Sequence, residues 1–231
     1  NNFPISVTFK DGTQTQVTNV HDLVFLARYD AWKHCKIIGD ELSISFNDTT
    51  AKFSDWRHNG VISRIFLKED MKSIPVKNSL VVDVGANIGD SSIYFILKGA
   101  TKCIAIEPVP RNYEAAKKNI KLNNLDNIDL ILAGCAGKNG IITLDPNQNS
   151  NGPIVEIENG QEIELITLVL LSLFNLPIIF SHSVLISTHC IGLVNIKISK
   201  KFFTKFRNPL TTFAINEFSV SCHFFAILFC I

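Results

Sequence analysis

The chain has 231 residues and a formal net charge of +1 at pH 7, room for one α/β domain with additions or for two small domains. A balance this close to neutral excludes the electrostatic pull that nucleic-acid binding needs, so no nucleic-acid partner is expected. Six cysteines, at positions 35, 103, 135, 190, 222 and 230, are dispersed without a Cys-x-x-Cys pair or a Cys/His ligand spacing. No metal site is therefore expected, and the thiols are expected to be reduced, as in a cytoplasmic protein. The first residues, NNFPISVTFKDG, lack the basic and apolar regions of a secretory signal.

Residues 1–74 read as an α+β appendage rich in strands. Ile5, Val7 and Phe9 alternate with polar residues up to the turn Lys10-Asp11-Gly12-Thr13, and Gln14–Val20 follows, a hairpin pattern. Asp22–Trp32 has helical apolar spacing and an acidic start. Glu41–Phe46 and Ala51–Phe53 flank Asn47-Asp48-Thr49-Thr50, a second hairpin. Val61–Met71 is amphipathic, and Ser73–Asn78, with Pro75 inside, is a linker. No catalytic constellation stands out in this third of the chain.

From Leu80 the pattern becomes βαβαβ. Strands are expected at Leu80–Val84, Lys102–Glu107 and Asn127–Leu132, with helices from Ile88 to Lys98 and from Arg111 to Asn123 between them. Alternation at these lengths predicts a parallel sheet with right-handed crossovers. Gly140–Leu144 and Glu162–Leu168 then look like an antiparallel hairpin added to that sheet. The helix after Leu80–Val84 is entered through Gly85-Ala86-Asn87-Ile88-Gly89. A dinucleotide site needs Gly-x-Gly-x-x-Gly, and here Asn87 stands where the second glycine lets a pyrophosphate approach. A phosphate-binding Gly-x-x-x-x-Gly-Lys-Ser/Thr loop is absent too. What remains is room for a nucleoside without a pyrophosphate. Asp83, inside the strand, calls for a cationic or hydroxyl-rich partner. Glu107, at the end of the second strand, suits the two hydroxyls of a ribose. Nucleoside, amine and carboxylate together describe S-adenosylmethionine (SAM).

The strings VVDVGANIGDSSIYF and CIAIEPVPRNYEAAKKNIKLNNL resemble the SAM-binding core of the FkbM family of methyltransferases, over roughly Pro75 to Leu168. The resemblance implies a Rossmann-like methyltransferase fold, with residues 75–168 as the core. It implies that Asp83, Gly85, Ala86, Asn87 and Gly89 line the methionine side of SAM, that Glu107, with Pro108 beside it, binds the ribose, and that Ala133 and Gly134 flank the adenine. It implies O-methylation of a hydroxyl on a sugar or secondary metabolite as the reaction. It leaves the catalytic residues unassigned.

The family usually carries an acidic string on a fourth strand beside the transferred methyl. Here Thr167-Leu168-Val169 stands where Thr-Leu-Asp is common, and after Glu164 the only acidic residue is Glu217. Three readings follow for residues 169–231: a diverged apolar substrate-binding end, a membrane-associated segment, or a stretch outside the family's reading frame from about Leu168. The uncharged run Leu165–Ile196 exceeds the ~20 residues of a membrane span, but Asn175, Pro177, His182, His189 and Asn195 interrupt it. The third reading ranks first and the membrane reading last. The alternatives for the whole chain are accordingly an inactive SAM-binding remnant or a membrane-associated protein anchored by residues 165–231. The scattered histidines show no ligand spacing, Ser181-His182-Ser183 lacks a nucleophile elbow, and Lys117, Lys118 and Lys121 read as the solvated face of a helix.

Overall fold

A computed structural model describes residues 3–58, 61–147 and 156–167, together with the backbone of Phe229–Cys230. Strands β1 (Ile5–Thr8) and β2 (Gln14–Val17) form the first hairpin, with Gly12 at φ 86° in its turn. The helix expected over Asp22–Trp32 is two short pieces, α1 (Val20–Leu26) and α2 (Ala31–His34). The break falls at Tyr29 and Asp30, whose φ values of 48° and 54° no helix accommodates. Asn19 caps α1 by accepting from the Asp22 N–H at 3.0 Å.

Strands β3 (Cys35–Ile38), β4 (Glu41–Phe46) and β5 (Thr49–Phe53) form an antiparallel sheet in that order. The sequence pattern gave no sign of β3. It is four residues long and its alternation is blurred by the adjacent Ile37 and Ile38. The amphipathic stretch 61–71 forms a π-helical turn, Ser63–Leu67, and Glu69 at φ 51° ends the helical course.

The central sheet holds β6 (Leu80–Val84), β7 (Lys102–Glu107) and β8 (Ile128–Leu132), all parallel, in the order β6-β7-β8. Their registers bring Val84 beside Ile106 and Glu107 beside Leu132, so the three carboxyl ends share one edge. Helix α3 (Asp90–Leu97) joins β6 to β7, and α4 (Pro110–Leu122) joins β7 to β8. α3 starts two residues later than its apolar spacing suggests because Gly89, at φ 80°, is its left-handed N-cap. α4 starts on Pro110, whose missing N–H costs nothing at a first helical position.

Beyond β8, Gly134–Cys135 forms the two-residue β9, followed by β10 (Gly140–Leu144) and β11 (Gln161–Ile166). The expected hairpin β10–β11 is present, but its sheet has the order β10-β11-β9 and it is not hydrogen-bonded to β8. On the far side of β6, a last strand β12 (Phe229–Cys230) pairs antiparallel with Val82 and Val81. The readings of the C-terminal segment otherwise lie outside the described residues.

One hydrophobic cluster runs from Val17 through Phe53 and Phe66 to Phe95 and Ile128, so the N-terminal strands and the central sheet share a core. Its centre is aromatic. Phe66 meets Phe46, Phe53 and Tyr94 edge-on at ring separations of 5.2, 5.3 and 5.5 Å. Such pairs add ~0.5–1.5 kcal/mol each to plain burial. The open edge of β5 is closed by a side chain: Asn123 Oδ1 accepts from the Lys52 N–H at 2.8 Å, and its Nδ2 donates to the Lys52 carbonyl at 2.7 Å. An asparagine here does for the strand what a neighbouring strand would do.

Arg57 fastens the N-terminal layer. Its Nε donates to the buried Asp22 at 2.8 Å, its Nη1 to Asp40 at 2.6 Å, and its plane lies over Trp56. Burial pushes the Asp22 carboxyl up, but hydrogen bonds from Arg57, Thr18 and Asn19 outweigh it and hold it below its ordinary value of 3.8. A lowered carboxyl contributes stability above its unfolded pKa and loses it as pH falls through the folded one. Arg57→Ala is therefore expected to cost about 3 kcal/mol near neutral pH, because it strands a buried carboxylate. Urea unfolding checks this, and a loss below about 0.5 kcal/mol, the size of an ordinary surface change, would place Asp22 in contact with water instead.

Candidate functional site at the carboxyl edge of the central sheet

Asp83 is fully buried one residue from the end of β6. Two hydroxyls from the first turn of α3, Ser91 Oγ and Ser92 Oγ, both donate to its Oδ2 at 2.6 Å. Its other oxygen, Oδ1, is buried without a hydrogen-bond partner. Burial pushes the Asp83 carboxyl above its ordinary value, and the two serine hydroxyls pull the other way. An acceptor oxygen left buried and unpaired costs about 1–3 kcal/mol, so the site is built short of one donor.

Glu107 closes the turn from the neighbouring strand. Its Oε2 accepts from the Asn87 N–H at 2.8 Å. Its Oε1 accepts from the Val109 N–H at 2.9 Å and from Asn112 Nδ2 at 3.2 Å. The side chain is thus tied to the glycine turn and to the first turn of α4 at once. Burial dominates its titration and pushes it up to about 7. The three N–H donors offset part of the rise, and the nearby Asp83 adds to it. A carboxylate has about four lone-pair directions. Three are used here, which leaves one for a ligand hydroxyl.

The turn itself is shaped by three left-handed residues, Gly85 at φ 80°, Asn87 at 50° and Gly89 at 80°. Gly85 and Ala86 both donate to the Ile106 carbonyl, which pins the turn to β7. Asn87 is one of the non-glycine residues that adopts this conformation at small cost. Its Oδ1 is a second buried oxygen without a partner. Gly89 faces α4: a Cβ there would sit 3.3 Å from the Ala116 Cβ, so the close packing of turn and helix requires glycine.

The sequence-derived site residues therefore converge in large part. Asp83, Gly85, Ala86, Asn87, Gly89 and Glu107 lie together at the carboxyl ends of β6 and β7, with Asn87 bonded to Glu107 and Gly85 and Ala86 to Ile106. Pro108 is buried beside Glu107. Ala133 is buried with Val82, Ile104 and Ile106 in a second small cluster, and Gly134 begins β9, where its pairing with Leu165 anchors the added sheet. Ser91, Ser92 and Asn112 belong to the group as well and were not singled out from sequence. Their signal was present: two hydroxyls in the first turn of the helix after Asp83, and an amide in the first turn of the helix after Glu107. An open groove of about 570 Å³ lies apart from these residues, lined among others by Asp55, Arg111, Glu114, Lys118 and Asn147. No group of three or more His, Cys, Asp or Glu that could hold a metal occurs among the described residues, and no helix among them is long and apolar enough to cross a membrane.

Residues 83–179 match the family model described as the methyltransferase FkbM domain. That stretch is similar to an FkbM methyltransferase domain. The match runs past Leu168, where the sequence departs from the family's acidic string, and ends at residue 179. The methyltransferase sdnD of Sordaria araneosa is 32% identical over 99 residues, covering 41% of this chain and 38% of that protein. The chain thus spans well under half the length of this relative. Among solved structures, Trm5b from Pyrococcus abyssi aligns over 43% of this chain and 34% of its own with 24% identity and a TM-score of 0.33. A chain from Streptococcus mutans assigned as a SAM-dependent methyltransferase aligns over 52% and 29% with 12% identity and a TM-score of 0.29. Superpositions that loose say nothing of what this chain does.

Asp83 Oδ1 and Asn87 Oδ1 are buried acceptors without a hydrogen-bond donor, and Glu107 keeps one lone-pair direction unused, a set that suits a ligand bearing amine and hydroxyl donors. The pH dependence of stability tests the Glu107 arrangement. A carboxyl whose folded pKa is raised contributes stability below its unfolded pKa, ordinarily 4.5, and loses it as pH rises through about 7. The ligand-free protein should lose of order 3 kcal/mol from this group across that window. Glu107→Gln, neutral throughout, should flatten that part of the slope in urea titrations at pH 5 and pH 7.5. The same slope in both proteins would show that Glu107 is not buried as described.

Proposed function

We propose that this chain binds SAM over the turn between β6 and α3 and directs its methyl group to a hydroxyl oxygen of a sugar or secondary metabolite. The observation that carries the reading is the pair of buried, unpartnered oxygens on Asp83 and Asn87 at the open carboxyl edge of the sheet. Open α/β sheets bind ligands at that edge.

When bound, the sulfonium of SAM supplies a methyl group already activated for transfer. The chain's own work is then to bind, orient and exclude water. Asp83 Oδ1 accepts from the amine end of the cofactor, held in place by Ser91 and Ser92. The remaining lone pair of Glu107 accepts from the ribose, and Ala133 and Gly134 flank the base. Asn87 blocks the close backbone approach that a pyrophosphate needs, so NAD is a poor fit. An acceptor hydroxyl must also give up its proton, which a base at the acceptor side provides. The FkbM resemblance supports the group transferred and the class of acceptor. The unsatisfied oxygens support the placement of the cofactor.

Two measurements test the reading. By calorimetry, S-adenosylhomocysteine (SAH) is expected to bind and NAD to show no measurable heat at the same concentrations. Glu107→Ala should weaken SAH by roughly tenfold or more, since ~1.4 kcal/mol is a factor of ten and the lost bonds are charge-assisted. The pH dependence has a definite sign. Ribose hydroxyls donate to the ionised form of Glu107, which titrates near 7. Affinity should therefore rise by about tenfold from pH 6 to pH 8 and then level off. Tighter binding at pH 6, or NAD binding ahead of SAH, would contradict the assignment.

A further inference from the structure

We propose that Asn119 is a positioning residue of the cofactor site, and that through it the N-terminal sheet and the glycine turn are energetically coupled. The inference rests on the cofactor being held at that turn, as argued above. Asn119 is fully buried in the last turn of α4. Its Nδ2 donates to the carbonyl of Ile88 at 2.9 Å, in the centre of the turn between Asn87 and Gly89. Its Oδ1 accepts from the Ser54 N–H at 2.7 Å and from Ser54 Oγ at 3.0 Å, one residue past the end of β5. The amide can face only one way: flipped, its NH₂ would meet two donors and its oxygen a carbonyl. One side chain therefore joins two segments that are 34 residues apart in the chain, Ser54 and Ile88.

Asn119 does not stand alone. Asn112, Ala116, Asn119 and Asn123 follow each other at spacings of four, three and four residues, which places them on one stripe of α4. From one end of the stripe to the other, Asn112 holds Glu107, Ala116 abuts Gly89, Asn119 holds Ile88 and Ser54, and Asn123 holds Lys52. α4 is thus a spine with the cofactor turn at one end and the N-terminal sheet at the other. Asn119 is the one residue of the stripe whose side chain bonds both. Asn123 docks the same sheet without touching the turn, which makes it the natural control.

Coupling between two sites is reciprocal. If Asn119 transmits order between turn and sheet, filling the turn must steady Ser54. Amide hydrogen exchange on the wild-type chain reads this directly. Saturating SAH is expected to slow exchange of the Ser54 N–H at least about fivefold more than that of Lys52, the lower end of ordinary coupling. Equal slowing of both amides would be plain ligand stabilisation of the whole fold and would overturn the proposal. Asn119→Asp keeps an acceptor for Ser54 and removes the donor to Ile88. It should weaken SAH binding at least about fivefold and, without ligand, speed exchange of the amides of residues 85–89. Asn123→Ala should do neither, although both variants lower the melting temperature. Loss of SAH affinity of the same size in Asn123→Ala would reduce Asn119 to a packing role and overturn the proposal. If SAH fails to bind the wild-type chain, the cofactor reading falls, and the ligand-free exchange at residues 85–89 still decides whether Asn119 holds the turn.

Discussion

The structure depends on one buried carboxylate, that of Glu107. It sits at the end of β7 and accepts from Asn87 in the glycine turn, from Val109 at the start of α4 and from Asn112 one turn later. No apolar side chain could hold these three donors, and each would be an unpaired buried N–H without it. The cost is visible in its titration: burial lifts the group to about 7, far from where a carboxyl is comfortable. A fold that keeps two carboxyls, Asp83 and Glu107, out of water at one sheet edge is spending stability on an arrangement. Strongly perturbed carboxyls of this kind cluster at functional sites.

The same edge explains why the N-terminal strands are more than decoration. An isolated βαβαβ unit with three parallel strands would expose one face of α3. Here Phe46 and Phe66 cover Tyr94, Phe53 packs on Phe66, and the Asn119 and Asn123 amides stitch β5 to α4. Apolar packing supplies the energy of this joint, and the amides supply its register, because each satisfies backbone groups at one fixed position. The turn is consequently braced from both sides, by β7 through Glu107 and Ile106 and by α4 through Asn119.

Much of this was legible in the sequence. Leu80–Val84 and Lys102–Glu107 have the strand limits expected, because β-branched runs bounded by Gly and Pro leave little choice. The convergence of Asp83 and Glu107 follows from parallel strands whose carboxyl ends must meet. What the pattern hid was polar and long-range. In sequence, α4 shows apolar positions at helical spacing, Tyr113, Ala116 and Ile120, and a lysine face. The asparagines on its buried stripe look like ordinary solvent residues until the strand that receives them is placed. Glu107 was expected to face a ribose, and its three bonds to the chain itself depend on turns whose geometry no spacing rule contains. The break in the first helix at Tyr29 and Asp30 was hidden as well, since neither residue forbids a helix by its type.

The measurement that bears most directly on the account is the crystal structure of this chain grown with SAH. The account predicts the ligand across the carboxyl edge of β6 and β7, its amine within hydrogen-bond reach of Asp83 Oδ1 and a ribose hydroxyl on Glu107. SAH seated instead in the groove beside Arg111 and Lys118, with Asp83 Oδ1 still unpartnered, would contradict it.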